Sequence, residues 1–184
     1  MWIKSASEQT DLCLLFQVTK YILLLAIFAL STAIGFFIAK SYQNRVVELK
    51  EFKNILNIMK TKIKFTYEPL AEIFKQISKD NESEVEKIFG QMANQITYYQ
   101  AKDVWENCIQ DADISIKQED KDVLKKLGKL LGQTDIEGQI SEIEVIENFL
   151  DMQIENAEEE RKKNQKMYKT LGIVAGLVFV IILF

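Results

Sequence analysis

The feature that most constrains this chain is a run of nineteen residues without a charge, YILLLAIFALSTAIGFFIA over residues 21–39. As an α-helix it would be about 28 Å long, close to the thickness of a bilayer hydrocarbon core. A helix that is apolar on every face can otherwise be buried only inside a large protein, which 184 residues cannot supply. No Ala-x-Ala cleavage site follows before Lys40. We therefore predict a retained transmembrane helix over residues 21–39.

A second apolar segment, LGIVAGLVFVIILF, covers residues 171–184. Fourteen residues make about 21 Å of helix, which is short for a full span. The segment lengthens if Lys166 and Lys169 extend their ammonium groups back to the lipid headgroups. We predict a second transmembrane helix over residues 170–184; the alternative is a C-terminal helix that packs into a soluble core.

Charges next to the two segments predict the orientation. Residues 40–64 and residues 161–169 each carry a net charge of +5, whereas residues 65–160 carry −14. By the positive-inside rule, residues 40–169 lie in the cytoplasm and both termini across the membrane. The basic residues nearest the membrane are expected to contact anionic headgroups; this basic collar comprises Lys40, Arg45, Arg161, Lys162, Lys163, Lys166 and Lys169.

The soluble middle reads as all-α. One proline in the whole chain leaves few breaks for a sheet-rich fold, and apolar residues recur at helical spacing, as in Leu49, Phe52 and Leu56. We predict a bundle of about six helices whose first and last members continue into the membrane. The predicted domains are an N-terminal tail over 1–20, a transmembrane helix over 21–39, the cytoplasmic bundle over 40–169 and a second transmembrane helix over 170–184.

Local signals mark several helix ends. Pro69 suits the start of the second helix of the bundle, and Thr134 with Asp135 marks the start of the last one. Gly132 is predicted to end the fifth helix, whose apolar face includes Leu130. The last helix carries an isoleucine- and leucine-rich heptad stripe that is interrupted by one acid, Glu147.

The composition excludes much catalytic chemistry. The chain has no histidine, so a Ser-His-Asp triad and an imidazole metal site are impossible. Cys13 and Cys108 are the only thiols, too few for a structural zinc site, and both read as ordinary reduced cysteines. No phosphate-binding loop or calcium loop is present, and a net charge of −4 disfavours nucleic acid. We predict no catalytic, cofactor-binding or metal-binding residues, no small-molecule substrate, and no enzyme activity.

One motif in the second apolar segment relates to packing. Gly172 and Gly176 form a Gly-x-x-x-Gly pattern, which lets another helix approach the backbone closely. The partner could be the first transmembrane helix, which contributes Gly35, or a helix of another protein.

Three stretches together carry a family resemblance: FTYEPL over 65–70, LGKLLGQTD over 127–135 and NQKMYKTLG over 164–172. With a membrane anchor near each end, the chain resembles the stage III sporulation protein AB family of endospore-forming Firmicutes over about residues 20–184. The positions that carry the resemblance are Tyr67, Pro69, Leu70, Gly128, Gly132, Asp135, Lys166, Met167 and Tyr168.

The resemblance implies a membrane protein of the mother cell, part of the channel complex that connects mother cell and forespore. Its cytoplasmic domain would be similar to the platform domain of type II secretion and type IV pilus systems. The implied partners are a cytoplasmic ATPase and other channel proteins. The chain itself would have no catalytic residues. A complete platform protein has two such domains, so this chain would need to form a homodimer to imitate it.

Two other readings of the chain stay open. A two-helix membrane sensor or signalling protein would relay a conformational change through the bundle. A generic secretion-platform adaptor would dock partners outside sporulation.

Overall fold

The computed structural model describes residues 2–79, 82–129, 131–132 and 134–184, with side chains described from Leu15 onward. Leu130 and the side chain of Cys13, both named above, lie outside the described part. The described residues form six α-helices and no strand, which confirms the predicted all-α class. The helices are α1 (Trp2–Phe65), α2 (Leu70–Ile77), α3 (Glu84–Gln95), α4 (Ala101–Asp111), α5 (Gln118–Leu127) and α6 (Ile136–Leu183).

The chain divides into two compact units. The central unit is Ser41–Arg161, and it contains α2 to α5 with the adjoining parts of α1 and α6. The terminal unit consists of the residues up to Lys40 together with Lys162–Phe184.

The core of the central unit follows the apolar stripes that the sequence predicts. Leu49, Phe52 and Leu56 of α1 are fully buried, as are Leu124 and Leu127 of α5. An aromatic cluster lies at the centre, with ring centroids 5.7 to 6.3 Å apart; it comprises Phe52, Phe74, Phe89 and Trp105. Edge-to-face packing of such rings adds about 0.5–1.5 kcal/mol per pair beyond the burial of their area.

Helix starts in the central unit agree with the local signals. Pro69 immediately precedes α2, where its missing N–H costs no helical hydrogen bond. Asp135 precedes α6, and its Oδ1 accepts a hydrogen bond of 2.9 Å from the backbone N–H of Gly138. Ser83 precedes α3 and accepts from the N–H of Glu86 at 3.0 Å.

The predicted end of the fifth helix is wrong by several residues. α5 ends at Leu127, and the N–H of Gly128 bonds to the carbonyl of Lys125 at 3.1 Å in a tighter turn. Gly132 lies in the turns that follow, with φ at +72°. Two glycines so close together favour leaving the helix at the first of them, because glycine is a poor helix former.

The terminal unit contains the two apolar stretches. The described parts of α1 and α6 are each long and apolar enough to cross a membrane. Their apolar side chains are largely uncovered, for example Leu25 at 71% exposure, Phe37 at 77% and Ile181 at 75%. Such surface is unfavourable in water and suits contact with lipid, which agrees with membrane association of the chain.

Candidate interaction surfaces

In the terminal unit, α1 and α6 approach each other at their glycines. A Cβ added to Gly35 would lie 2.8 Å from the Cα of Gly172, and one added to Gly176 would lie 2.8 Å from the ring of Phe28. The hydroxyl of Ser31 also donates to the carbonyl of Gly172 at 2.9 Å. The structure thus brings all three predicted packing glycines into one seam within the chain.

The predicted collar residues have different surroundings. Lys40, Lys162, Lys163 and Lys166 are exposed, whereas Lys169 lies over the ring of Phe36 at 5.5 Å from its centroid. Arg161 is partly buried and donates to Gln43 at 3.2 Å. Between the collar lysines, Met167 is 43% exposed, and the carbonyl oxygen of Tyr168 lies beside Gly35.

The placement of Arg45 in the collar is wrong. This side chain is only 4% exposed, and its Nε and Nη2 donate to the two carboxylate oxygens of Asp120 at 2.8 and 3.0 Å. Its Nη1 donates to Glu160 at 2.8 Å. Burial disfavours the charged guanidinium, but the hydrogen bonds and charges of these two carboxylates outweigh it and raise the pKa of Arg45. Arg45 therefore holds α5 and α6 to α1 within the protein and is not available to lipid.

The Arg45 network also organises the start of α5. Asp120 is fully buried and accepts the backbone N–H of Lys117 at 2.8 Å, while the ammonium of Lys117 donates to Glu160 at 2.6 Å. Nearby, the N–H of Ser115 donates to Glu48 of α1 at 2.6 Å. Burial raises the pKa of Glu48, and the hydrogen bonds from Ser115 partly oppose that rise. These contacts hold the segment between α4 and α5 against α1.

Further lysines of α1 pair with α6. Lys50 lies 2.5 Å from Glu158, Lys53 lies 2.5 Å from Asp151, and Lys60 lies 2.6 Å from Glu147. Glu147 is the acid that interrupts the predicted heptad stripe, so its partner on α1 explains how it is tolerated there. A count of charges along the sequence could not show that these basic residues face acids of the same unit.

Among the described residues, no group of three or more Cys, Asp or Glu side chains is placed to hold a metal ion. Cys108 is buried, and burial raises the pKa of its thiol, which keeps it protonated and weakly nucleophilic at neutral pH.

The remaining positions that carry the family resemblance shape one end of the central unit. Tyr67 has φ at +53°, a strained value for a residue with a side chain, in the turn before Pro69. Gly132 is close to Leu70, since a Cβ added to this glycine would lie 3.5 Å from Leu70 Cδ1. A Cβ added to Gly128 would lie 2.9 Å from the ring of Trp105, so glycine leaves room for that ring.

The same end of the central unit carries large uncovered aromatic side chains. Gly132 lies close to both Leu70 and Ala101, which brings the start of α2 and the start of α4 together. The aromatic residues just before these two starts therefore lie at one end of the unit. We call this set the aromatic end: Phe65 at 68% exposure, Tyr67 at 73%, Tyr98 at 81% and Tyr99 at 67%. Exposed tyrosines of this kind are enriched at protein–protein contacts.

Known proteins resemble the chain in sequence and in structure. The sequence model of a protein family described as stage III sporulation protein AB matches residues 20–184. Stage III sporulation protein AB of Bacillus subtilis (strain 168) is 30% identical over 157 residues, which cover 83% of this chain and 92% of that protein. A solved structure of stage III sporulation protein AB superposes with a TM-score of 0.61 at 23% identity, covering 65% of this chain and 98% of the other. The structural likeness shows a shared fold.

Proposed function

The chain belongs to the stage III sporulation protein AB family, and we propose that it works there as a membrane platform that docks other proteins. Its family places it in sporulation. In the proposed role it is a non-enzymatic coupling subunit of the channel complex between mother cell and forespore. It sits in the mother-cell membrane around the forespore, and its partners are channel proteins and a cytoplasmic ATPase.

The observation that carries the proposal is the aromatic end. Tyr98 and Tyr99 are exposed although a folded unit of this size has a buried core that could have taken aromatic rings. Exposed tyrosines lose apolar contact with water when a partner covers them, and each phenol can also form a hydrogen bond at the rim of an interface. A protein that positions other proteins needs such a surface.

The charges support a cytoplasmic orientation of the central unit. Exposed basic residues lie beside the two candidate spans along the chain, as expected on the cytoplasmic side. They are Lys40, Lys162, Lys163 and Lys166. Because Arg45 is paired internally, the collar consists of fewer residues than the sequence predicts. The strongly acidic stretch 65–160 would be repelled from anionic headgroups.

Co-purification from sporulating cells tests the docking role. A tagged full-length chain, extracted in mild detergent, is expected to recover channel proteins and a cytoplasmic ATPase. The double variant Tyr98→Ser/Tyr99→Ser is expected to lose them, because it removes two exposed rings without touching the core. Val47→Ser, at an exposed apolar position of α1, is the matched control. Recovery of the same proteins by both variants would count against the aromatic end, and recovery of none by the unmodified chain would count against the platform role.

Cysteine accessibility tests the orientation. In a chain that carries Cys13→Ser and Cys108→Ala to remove the native thiols, a cysteine placed at Glu119, an exposed position at the start of α5, is expected to resist a membrane-impermeant thiol reagent in intact cells. It should react once the cells are opened. Labelling in intact cells would contradict the cytoplasmic placement.

A further inference from the structure

A second uncovered surface lies on α6, away from the aromatic end. Val145, Phe149 and Met152 are 43%, 37% and 57% exposed, although their neighbours Ile146 and Leu150 are buried. An α-helix turns by about 100° per residue, so their four-three spacing puts these three residues on one face of α6. We call this face the outer stripe. It differs from the buried stripe that holds α6 to the rest of the central unit.

The borders of the outer stripe are charged. On the α5 side, the ammonium of Lys126 lies 5.0 Å from the centroid of the Phe149 ring. The helical repeat puts Glu155 on the opposite border, and it puts Glu142 and Glu159 in line with the stripe beyond its two ends. Within the described part of the chain, none of these three carboxylates has a cation within 4.0 Å. The acids of α6 that do form ion pairs there are Glu144, Glu147, Asp151, Glu158 and Glu160. The stripe is therefore a short apolar surface with acids at both ends and along one side.

A second copy of the chain would fit this surface poorly. In a parallel pair of α6 helices, Glu142 and Glu159 would each face their own copies at core positions. In an antiparallel pair, the acidic borders would face each other, bringing Glu155 of one copy near Glu144 of the other. Like charges placed directly opposite cost free energy and favour another partner.

From this geometry we infer that the outer stripe binds an amphipathic helix of another protein, with basic residues on one flank and at its ends. Apolar side chains of that helix would cover Phe149 and Met152, and its lysine or arginine groups would pair with Glu155 and the terminal acids. Such a helix-on-helix mode uses anchors at i, i+4 and i+7, the spacing present here. The site is separate from the aromatic end and does not depend on which partner binds there.

A pair of model helices tests the inference on the full-length chain in phosphatidylcholine nanodiscs. Both peptides have about 21 residues, three heptads, and the same leucine stripe. One carries lysines on the flank and the other carries glutamates. Binding is measured by fluorescence anisotropy, with empty nanodiscs as the blank. The lysine peptide is expected to bind at least about tenfold tighter, and less tightly as salt rises from about 0.05 to about 0.5 M.

Three variants locate the binding. Phe149→Ser/Met152→Ser and Glu155→Gln/Glu159→Gln are each expected to weaken binding of the lysine peptide by about tenfold, a loss typical of a central contact. Val47→Ser, on α1, is expected to leave it unchanged, and circular dichroism checks that all three fold. Equal affinity for the two peptides, or equal loss in the control, would overturn the inference. A dimer in analytical ultracentrifugation that Phe149→Ser/Met152→Ser dissolves would also overturn it, in favour of a second copy.

Discussion

Removing one partner from the buried Arg45–Asp120 pair should be the most damaging change to a charged residue in the central unit. Arg45 is 3% exposed and Asp120 is fully buried, so water cannot replace a lost partner. Arg45→Met leaves the Asp120 carboxylate with the N–H of Lys117 as its remaining hydrogen-bond donor. Breaking a buried pair in this way costs about 3–5 kcal/mol of the free energy of unfolding. We expect Arg45→Met to lose an amount within that range.

An exposed ion pair between α1 and α6 provides the control. Lys50 pairs with Glu158 at 2.5 Å, but its side chain is 54% exposed. Solvent screens such a pair, so Lys50→Met is expected to cost at most about 1 kcal/mol. The two substitutions remove similar side chains. The difference between their losses in the free energy of unfolding therefore measures the effect of burial.

A double-mutant cycle measures the coupling itself. In Arg45→Met/Asp120→Asn, the amide oxygen still accepts the N–H of Lys117 and no buried charge is left unpaired. The double variant should therefore be more stable than the sum of the single losses predicts, by about 2–3 kcal/mol. Urea unfolding of the full-length chain in detergent, followed by circular dichroism, gives all four free energies. A cost for Arg45→Met no larger than that for Lys50→Met would refute the reasoning.

Three further changes test other parts of the structure. Gly35→Val should destabilise the packing of α1 on α6, because even a Cβ would lie 2.7 Å from a backbone oxygen; a lower thermal midpoint in nanodiscs, absent in Ile34→Val at an exposed neighbour, checks this. Gly132→Ala should cost about 1–2 kcal/mol in urea unfolding, because φ is +72° there, and an unchanged midpoint would contradict that conformation. Glu48→Gln should leave the protein at least as stable at neutral pH, since the amide oxygen still accepts from Ser115 and the burial that raises the pKa of Glu48 no longer acts on a charge. For the wild type, stability attributable to Glu48 falls as pH rises from the ordinary carboxyl pKa to the raised one, so the advantage of the variant should vanish in acid; unfolding midpoints across pH measure it, and an advantage that persists in acid would contradict the assignment.

The apolar pattern of the bundle could be predicted from the sequence because burial depends on spacing along one helix. Leu49, Phe52 and Leu56 share a face by their spacing alone, and all three are buried. The start of α2 at Pro69 also follows from local chemistry, since proline lacks the N–H that a helix interior needs. Features that are set within a single helix could therefore be predicted from the sequence.

Features that depend on which helices pack against each other could not be predicted from the sequence. Arg45 reads as a membrane-surface residue until its distant partner Asp120 is known, because charge alone does not identify the group that neutralises it. The outer stripe was equally hidden: Val145 and Phe149 alternate with buried residues of the same helix, and only the packing shows which face is covered. The aromatic end requires α2 and α4 to start side by side, which the topology supplies.

Photo-cross-linking in sporulating cells tests the central claim most directly. A photoreactive phenylalanine analogue replaces Tyr98 at the aromatic end in one strain and Glu119 at the start of α5 in another. The platform role predicts cross-links from position 98 to a channel protein or a cytoplasmic ATPase, and none of these from position 119. Identical cross-links from both positions, or none from position 98 in cells that complete sporulation, would contradict it.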